Sequence, residues 1–393
     1  MKHIVIKDFG PLKSADIFLG RTNLIIGMQS SGKSCVMMIA CHCSWVEKRI
    51  ALRQSATEFM QGTSFIDMLI SYYHAKGYVH DDTYIEYQSD YMKFMYDQAT
   101  RKFSHEWNSK KRWSYRRPKV SYIPAERNVI SIVEKWDKMD VAYNSILDFK
   151  TDWDAARKFI KQETDILGTG ISYRYDDAAS ADKITTADGV PLNMVDSSSG
   201  VQSLIPQFVH LDYLCKGIYE DEKNRSEKNY SEKQLINNLL EILYYRHFKA
   251  LDDGQNKPSQ IVINKNGRDY IFYSAKDAKA FDREAAHFLN TDHAEVFLEE
   301  PESNLFPPTQ FQLMNWIVDR TYDRTHRNSF FIATHSPYIL NHLLQENLTD
   351  FRLFLSYPVG KGCYSIKAAS EEEIQQIYDN GSDAFFNFDA FCE

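Results

Sequence analysis

The 393-residue chain contains no run of about 18 apolar residues, so no segment is expected to cross a membrane as a helix. Its start, Met1-Lys2-His3-Ile4-Val5-Ile6, lacks the long apolar stretch and small-residue end of a secretory signal and reads as a strand. The six cysteines, Cys35, Cys41, Cys43, Cys215, Cys363 and Cys392, form no CxxC pair. That argues against a zinc site and makes reduced thiols in a cytoplasmic protein the expectation. Cys41-His42-Cys43 has metal-binding residue types, but adjacent residues of a helix face different ways, so core packing is the expected role. There is no internal repeat, no low-complexity tract and no sustained heptad array, which leaves no length for a coiled-coil arm. An excess of cations is missing too. A net charge of −8 excludes a wholly basic nucleic-acid protein but not a local basic patch.

What is present is ordinary globular composition, 43% hydrophobic and 25% charged, with enough material for two or three lobes. Strands at 3–7 and 15–19 should pair, and 23–26 reads as a buried strand. Helices are expected at 35–50 and 62–76, then a β-rich, aromatic stretch at 83–123. Residues 126–165 read as helical, 170–195 as a hairpin, and 200–216 as a helix. The charge-dense 219–233 reads as a flexible loop, followed by a helix at 233–249. A second hairpin, 260–264 with 269–273, turns at Lys265-Asn266-Gly267-Arg268. After a further helix, 294–298 and 329–333 are short apolar runs of the buried parallel kind. Residues 352–356 and 362–367 should finish the sheet.

Four segments carry chemistry. Gly27-Met28-Gln29-Ser30-Ser31-Gly32-Lys33-Ser34 is a complete P-loop pattern between an apolar strand and a helix. Its glycines let backbone N–H groups turn inward at phosphate oxygens, Lys33 supplies a point charge to the β- and γ-phosphates, and Ser34 offers a hydroxyl to Mg²⁺. In Val296-Phe297-Leu298-Glu299-Glu300-Pro301-Glu302 a strand ends in two acids, at the ligand edge of a parallel sheet. Glu299 would hold Mg²⁺ through its water shell, and Glu300 would orient and deprotonate an attacking water. The bland alternative is an acidic cluster capping the next helix. The strand at 329–333 leads into Thr334-His335-Ser336-Pro337, which places His335 at the same edge, within reach of a γ-phosphate; otherwise this is an ordinary helix cap. Asp196-Ser197-Ser198-Ser199-Gly200-Val201-Gln202-Ser203 opens a helix with several free N–H groups, an anion site or, read alone, an N-cap and nothing more.

In this order the four segments resemble the ABC-type ATPases, an α/β fold with a mixed sheet, an N-terminal antiparallel β lobe and a helical lobe. The resemblance is closest to the soluble branch with OLD-like and structural-maintenance-of-chromosomes heads, whose opening strand Ile4-Val5-Ile6-Lys7-Asp8-Phe9-Gly10-Pro11-Leu12 resembles. Tyr122-Ile123-Pro124-Ala125-Glu126-Arg127 and Asn304-Leu305-Phe306-Pro307 resemble a bacterial subgroup that includes antiphage-system ATPases. The resemblance implies ATP and Mg²⁺ as ligands. It also implies a signature loop at Ser199 and Gly200, with Gln202 beside it, that reaches the nucleotide on a second subunit, and His335 as switch histidine. It implies three parts: 1–125 with the P-loop, 126–293 with the signature, and 294–393 with Glu300 and His335. Val201 stands where transporter ATPases usually have glycine, and Glu299 where they have aspartate, which argues against a transporter subunit. The usual strand-end glutamine is not evident; Gln54, Gln61 and Gln88 are candidates.

The segment after His335 is too short for a Toprim nuclease domain, on the order of a hundred residues, so any nuclease or toxin effector would be a separate chain. Residues 101–119 hold eight Lys/Arg against Glu106, with aromatics interleaved, a composition suited to nucleic acid or an acidic partner. A hairpin edge kept soluble by charge is the weightier reading of that stretch, given the acidic chain.

Overall fold

The computed structural model describes residues 1–133, 136, 144–220, 230–248, 259–346 and 348–381. The chain opens with β1 (Lys2–Phe9), β2 (Leu12–Leu19) and β3 (Thr22–Gly27), then α1 (Lys33–Arg53) and α2 (Ser64–Tyr73). An antiparallel run, β4 (Val79–Gln88), β5 (Met92–Asp97) and β6 (Lys102–Trp107), precedes β7 (Pro118–Ile123). The middle holds α3 (Val129–Ile132), α4 (Ser145–Phe159), a small sheet of β8 (Thr164–Asp165), β9 (Ser172–Asp176), β10 (Ala181–Thr185) and β11 (Pro191–Asn193), and then α5 (Ser199–Asp212), which runs on as a π turn over Tyr213–Gly217. Next come α6 (Tyr230–His247), the hairpin β12 (Ile261–Lys265) and β13 (Arg268–Phe272), and α7 (Ala275–Leu289). The last part is β14 (His293–Glu299), α8 (Pro307–Thr321), β15 (Ser329–Ala333), α9 (Pro337–Gln345), β16 (Phe351–Gly360), β17 (Cys363–Ala368) and α10 (Glu371–Asn380).

Eleven strands form one mixed sheet, in the order β6-β5-β4-β1-β2-β17-β16-β3-β15-β14-β7. Its parallel part is β7-β14-β15-β3-β16, and β2, β1, β4, β5 and β6 run antiparallel to one another beyond β17. The expected antiparallel lobe is thus continuous with the parallel core, because β17 pairs parallel with β2 and antiparallel with β16. Strand alternation builds two cores. Ile25 of β3 joins α1 and α2 on one side, while Leu24 and Ile26 join α4, α5, α8 and α9 on the other. The aromatic 83–123 stretch earns its composition by packing on α2: Phe65 lies 5.3 Å, centroid to centroid, from both Tyr96 and Phe103. Cys41, His42 and Cys43 are buried within α1. Burial drives the His42 pKa down to about 3, which leaves its ring neutral against the Phe65 carbonyl 3.1 Å away.

Three local expectations change. Only part of 126–165 is helical: a 3-10 turn at Ala125–Asn128, α3 and α4, with β8 at the end; residues 134–135 and 137–143 lie outside the described residues. The 170–195 hairpin is a four-stranded sheet, since β8 adds to β9 and β11 to β10. The loop expected at 219–233 falls largely on 221–229, outside the described residues, and the helix after it begins at Tyr230 rather than 233. The second hairpin turns at Asn266 and Gly267, both with positive φ (52° and 76°), as a two-residue turn with right-handed strand twist demands.

Beneath α1 the curled sheet closes over a polar network. Lys2 Nζ of β1 donates to both oxygens of Glu295 of β14 (2.5 and 2.6 Å) and to Ser44 of α1 (3.0 Å). Glu47 of α1 accepts from Tyr87 of β4 at 2.6 Å and lies 3.7 Å from Lys2. Burial alone would raise the Glu295 pKa, but the charges of Lys2 and His293 outweigh it and hold the carboxyl below its usual range. Its stabilising contribution is therefore present above the ordinary carboxylate pKa and lost as pH falls toward the depressed value. Glu295→Ala leaves Lys2 without its closest partner and should cost about 3 kcal/mol in urea unfolding at pH 7. The gap between variant and wild type should narrow below about pH 4. Equal stabilities at pH 7 would show that the pair contributes nothing.

Candidate functional site

Parallel register fixes the site. Glu299 pairs with Ala333, Ala333 with Ile25, and Leu298 with Ile123, so the C-terminal ends of β7, β14, β15 and β3 finish at one level. The loop after β3 wraps there. Gly27 and Gly32 have φ of 157° and 88°, and Ser30, also positive at 58°, makes the inward curl. A methyl on Gly32 would come 2.5 Å from the Leu12 side chain, so glycine is required there by both φ and space. Gln29, Ser30 and Ser34 are exposed, whereas Ser31 is buried and its carbonyl accepts from Ser356 Oγ at 2.6 Å.

Lys33 is buried with its ammonium on the carbonyls of Gly27 (3.0 Å) and Met28 (2.7 Å). Burial lowers its pKa to about 8, against the pull of Glu300, Glu302 and Glu299. Glu299 is buried, and burial raises its pKa despite the nearby Ser34 and Tyr122 hydroxyls. Its Oε1 has no hydrogen-bond partner. An anionic oxygen with an open valence beside a serine hydroxyl is what a hard divalent cation such as Mg²⁺ takes, so these residues fit that ion. Glu300 is half-buried, its carboxylate accepting from Ser303 Oγ at 3.2 Å. The His335 pKa is lowered by burial and by the charge of Lys33, and Glu300 opposes both. The cleft, about 670 Å³, is lined by the 29–35 loop, Glu299, Glu300, Ala333 and His335, and on its far side by Gly10, Pro11, Gly77, Tyr78, His80 and Gly362.

Ser199, Gly200 and Gln202 are not among the residues lining that cleft. Ser199 is exposed at the first turn of α5. Gly200 lies so close to the turn after β14 that an added methyl would sit 3.2 Å from the Asn304 carbonyl. The Gln202 amide nitrogen donates to the carbonyls of Val195 (3.0 Å) and Met194 (3.4 Å).

The candidate glutamines are not in the cleft either. Gln54 ends α1, bonded to Ala51 O and to Arg112 Nε. The strand end that does border Glu299 is that of β7, and it carries a carboxylate, Glu126, whose charge raises the Glu299 pKa. Two further residues escaped the sequence reading as working parts: Arg127, which bonds the carbonyls of Glu299 and Glu300, and Glu302, which bonds Thr334 and His335. Both stand inside motifs quoted above, but only the fold shows what they touch. Tyr78 and His80 carried no signal.

Of the eight cations in 101–119, five are engaged within the chain. Lys111, Arg116 and Lys119 pair with Asp90, Asp292 and Asp152, Arg117 donates to the Leu289 carbonyl, and Arg112 stacks between Trp107 and Trp113 (4.4 and 4.8 Å). That occupancy favours the hairpin-edge reading. No helix among the described residues is long and apolar enough to cross a membrane.

No family model matches the chain, and no curated protein does. Among solved structures it is similar to the SMC head domain from Thermotoga maritima, with 12% identity, 94% of this chain and 98% of that one covered, and a TM-score of 0.43. It is also similar to an SMC head bound to the C-terminal winged-helix domain of ScpA (10% identity, 95% and 98% covered, TM-score 0.44). A third is an SMC head with an extended coiled coil bound to the C-terminal domain of ScpA, derived from Pyrococcus furiosus (12% identity, 97% and 99% covered, TM-score 0.32).

Gly32→Ala forces a side chain into a left-handed backbone against a buried leucine. It should lower stability by about 1–3 kcal/mol in denaturant unfolding. An unchanged midpoint would mean that the loop relaxes freely.

Proposed function

We propose that this chain is an ATP-hydrolysing switch that works as a head-to-tail homodimer in a bacterial antiphage defence system, controlling a separate effector such as a nuclease or toxin. One observation carries the ATPase part: a glycine-rich phosphate loop with a buried lysine shares one cleft with two acids and a histidine from the neighbouring strand ends. Inward N–H groups of the loop receive the phosphates, and Lys33 exchanges the carbonyls of Gly27 and Met28 for β- and γ-phosphate oxygens. Ser34 and Glu299 would hold Mg²⁺, which when bound offsets phosphate charge. Glu300 orients the attacking water and takes its proton, and His335 contacts the γ-phosphate. Glu300→Gln keeps the shape but cannot accept that proton. It should bind ATP like wild type and lose hydrolysis by a factor of about 100 or more. Normal turnover in Glu300→Gln together with loss in Glu299→Gln would reverse the two roles.

The dimer reading is supported by what lies outside the cleft. Ser199 and the start of α5 do not line the cleft of this chain's own phosphate loop, and the Ser198 side chain makes no capping bond. Large apolar side chains stand exposed on the turns that carry the site: Met28 (49%), Phe306 (74%) and Tyr338 (46%). A second subunit related by two-fold symmetry would cover them and bring its Ser199 to the γ-phosphate, so that ATP joins the halves. The defence setting rests on the resemblance of the 122–127 and 304–307 segments.

Mixing Lys33→Ala and Ser199→Arg chains, each inactive alone, puts both lesions in one site of the mixed dimer and none in the other. Partial ATPase activity should return. Full activity in the Ser199→Arg homodimer would rule out a composite site.

A further inference from the structure

We propose that Arg127 and Glu302 are positioning residues for hydrolysis, gripping from two sides the turn that presents Glu300; this rests on the ATPase reading above. Glu300 has φ of 41° and Asn304 of 61°, a left-handed backbone that side chains rarely adopt unless the surroundings impose it. The surroundings here are specific. Arg127, 1% exposed, reaches from the end of β7 and donates to two successive carbonyls of the turn, Glu299 O at 2.8 Å and Glu300 O at 2.7 Å. A third bond, 3.3 Å to Pro124 O, ties the guanidinium to its own strand end.

Glu302 works toward the opposite neighbour. One carboxylate oxygen accepts from the His335 backbone N–H at 2.6 Å and the other from Thr334 Oγ1 at 2.8 Å, both just past β15. Because β14 lies between β7 and β15, the two grips come from the strands on either side of Glu300. Glu300 N also donates to Ala333 O at 2.8 Å, so the backbone of the turn is held toward β15 as well. Neither gripping side chain lines the cleft, so both act through Glu300 and His335 rather than on the nucleotide.

Near neighbours change the chemistry of the grips. The guanidinium reaches the two carbonyls from two nitrogens held in one plane; an ammonium can bond two carbonyls, as Lys33 does, but only from one atom and without that fixed geometry. A carboxylate accepts from both donors as a charged group; a carboxamide keeps one oxygen for the His335 N–H, must reverse the bond to the Thr334 hydroxyl, and loses the charge assistance of both. A displacement of the base by about 1 Å is enough to lower turnover about 100-fold while leaving the phosphate loop untouched.

The test compares Arg127→Lys, Glu302→Gln, Glu300→Gln and wild type for equilibrium ATP affinity, kcat, KM and thermal midpoint. The expected result is a kcat about 100-fold lower in Arg127→Lys and in Glu302→Gln, with ATP affinity and thermal midpoint as in wild type. In the Glu300→Gln background Arg127→Lys should add no further loss, because it acts through that carboxylate. Unchanged kcat in both variants, with Glu300→Gln inactive, overturns the positioning roles and spares the ATPase reading. Normal turnover in both Glu300→Gln and Glu299→Gln overturns the ATPase reading itself. If Arg127→Lys does not fold, Glu302→Gln decides alone; equal losses of kcat, affinity and thermal midpoint there reduce the grip to plain structure.

Discussion

The site depends on one constraint, the shared register of four parallel strands. Hydrogen bonding between β7, β14, β15 and β3 makes Ile123, Glu299, Ala333 and the residues before Gly27 end together. A shift of one residue in any of these pairs would turn a site side chain to the other face of the sheet. β3 is buried on both faces, with Ile25 in one core and Leu24 and Ile26 in the other, so a shift would have to repack both cores at once. Packing of the two cores and geometry of the cleft are therefore the same fact seen from inside and outside.

Electrostatics sharpen the cleft. Four carboxylates, Glu126, Glu299, Glu300 and Glu302, face two buried cations, Lys33 and Arg127. Burial lowers both cations' pKa values, that of Arg127 to about 10, and the acids oppose the shift. Lys33 is held on the carbonyls of Gly27 and Met28 and Arg127 on those of Glu299 and Glu300, so each charge has a fixed address before any ligand arrives. Excess negative charge and an unpartnered Glu299 oxygen suit a site that takes a divalent cation together with its anion.

The helical part touches this centre at few points. Ser131, one turn past Arg127, donates to the Gln202 carbonyl of α5 at 2.6 Å, and Asn304 Nδ2 donates to Ser203 Oγ at 3.0 Å. Through these contacts the start of α5 is tied to the segment that holds Glu300 and to the turn that carries it. Any movement of α5 would be felt there first.

By itself the sequence determined the pieces whose signal is local. A strand, a glycine-rich segment and a helix in succession specify the curled loop at 27–34. Apolar runs ending in Glu299-Glu300 and Thr334-His335 specify strand ends at a ligand edge, and Asn266-Gly267 specifies a hairpin turn. Each follows from steric rules or periodicity within a few residues. What only the tertiary structure decided depends on neighbours far apart in the chain. Arg127 and Glu299 are joined because β7 pairs with β14, a choice between sheet edges that no local pattern records. The strand-end group beside Glu299 is Glu126 and not a glutamine, and Gln54 instead caps a helix. Lys111, Arg116 and Lys119 lose their apparent availability because Asp90, Asp292 and Asp152 come to them from other elements. Composition lists charges, but only folding assigns their partners, and the partner decides whether a charge is free to bind anything else.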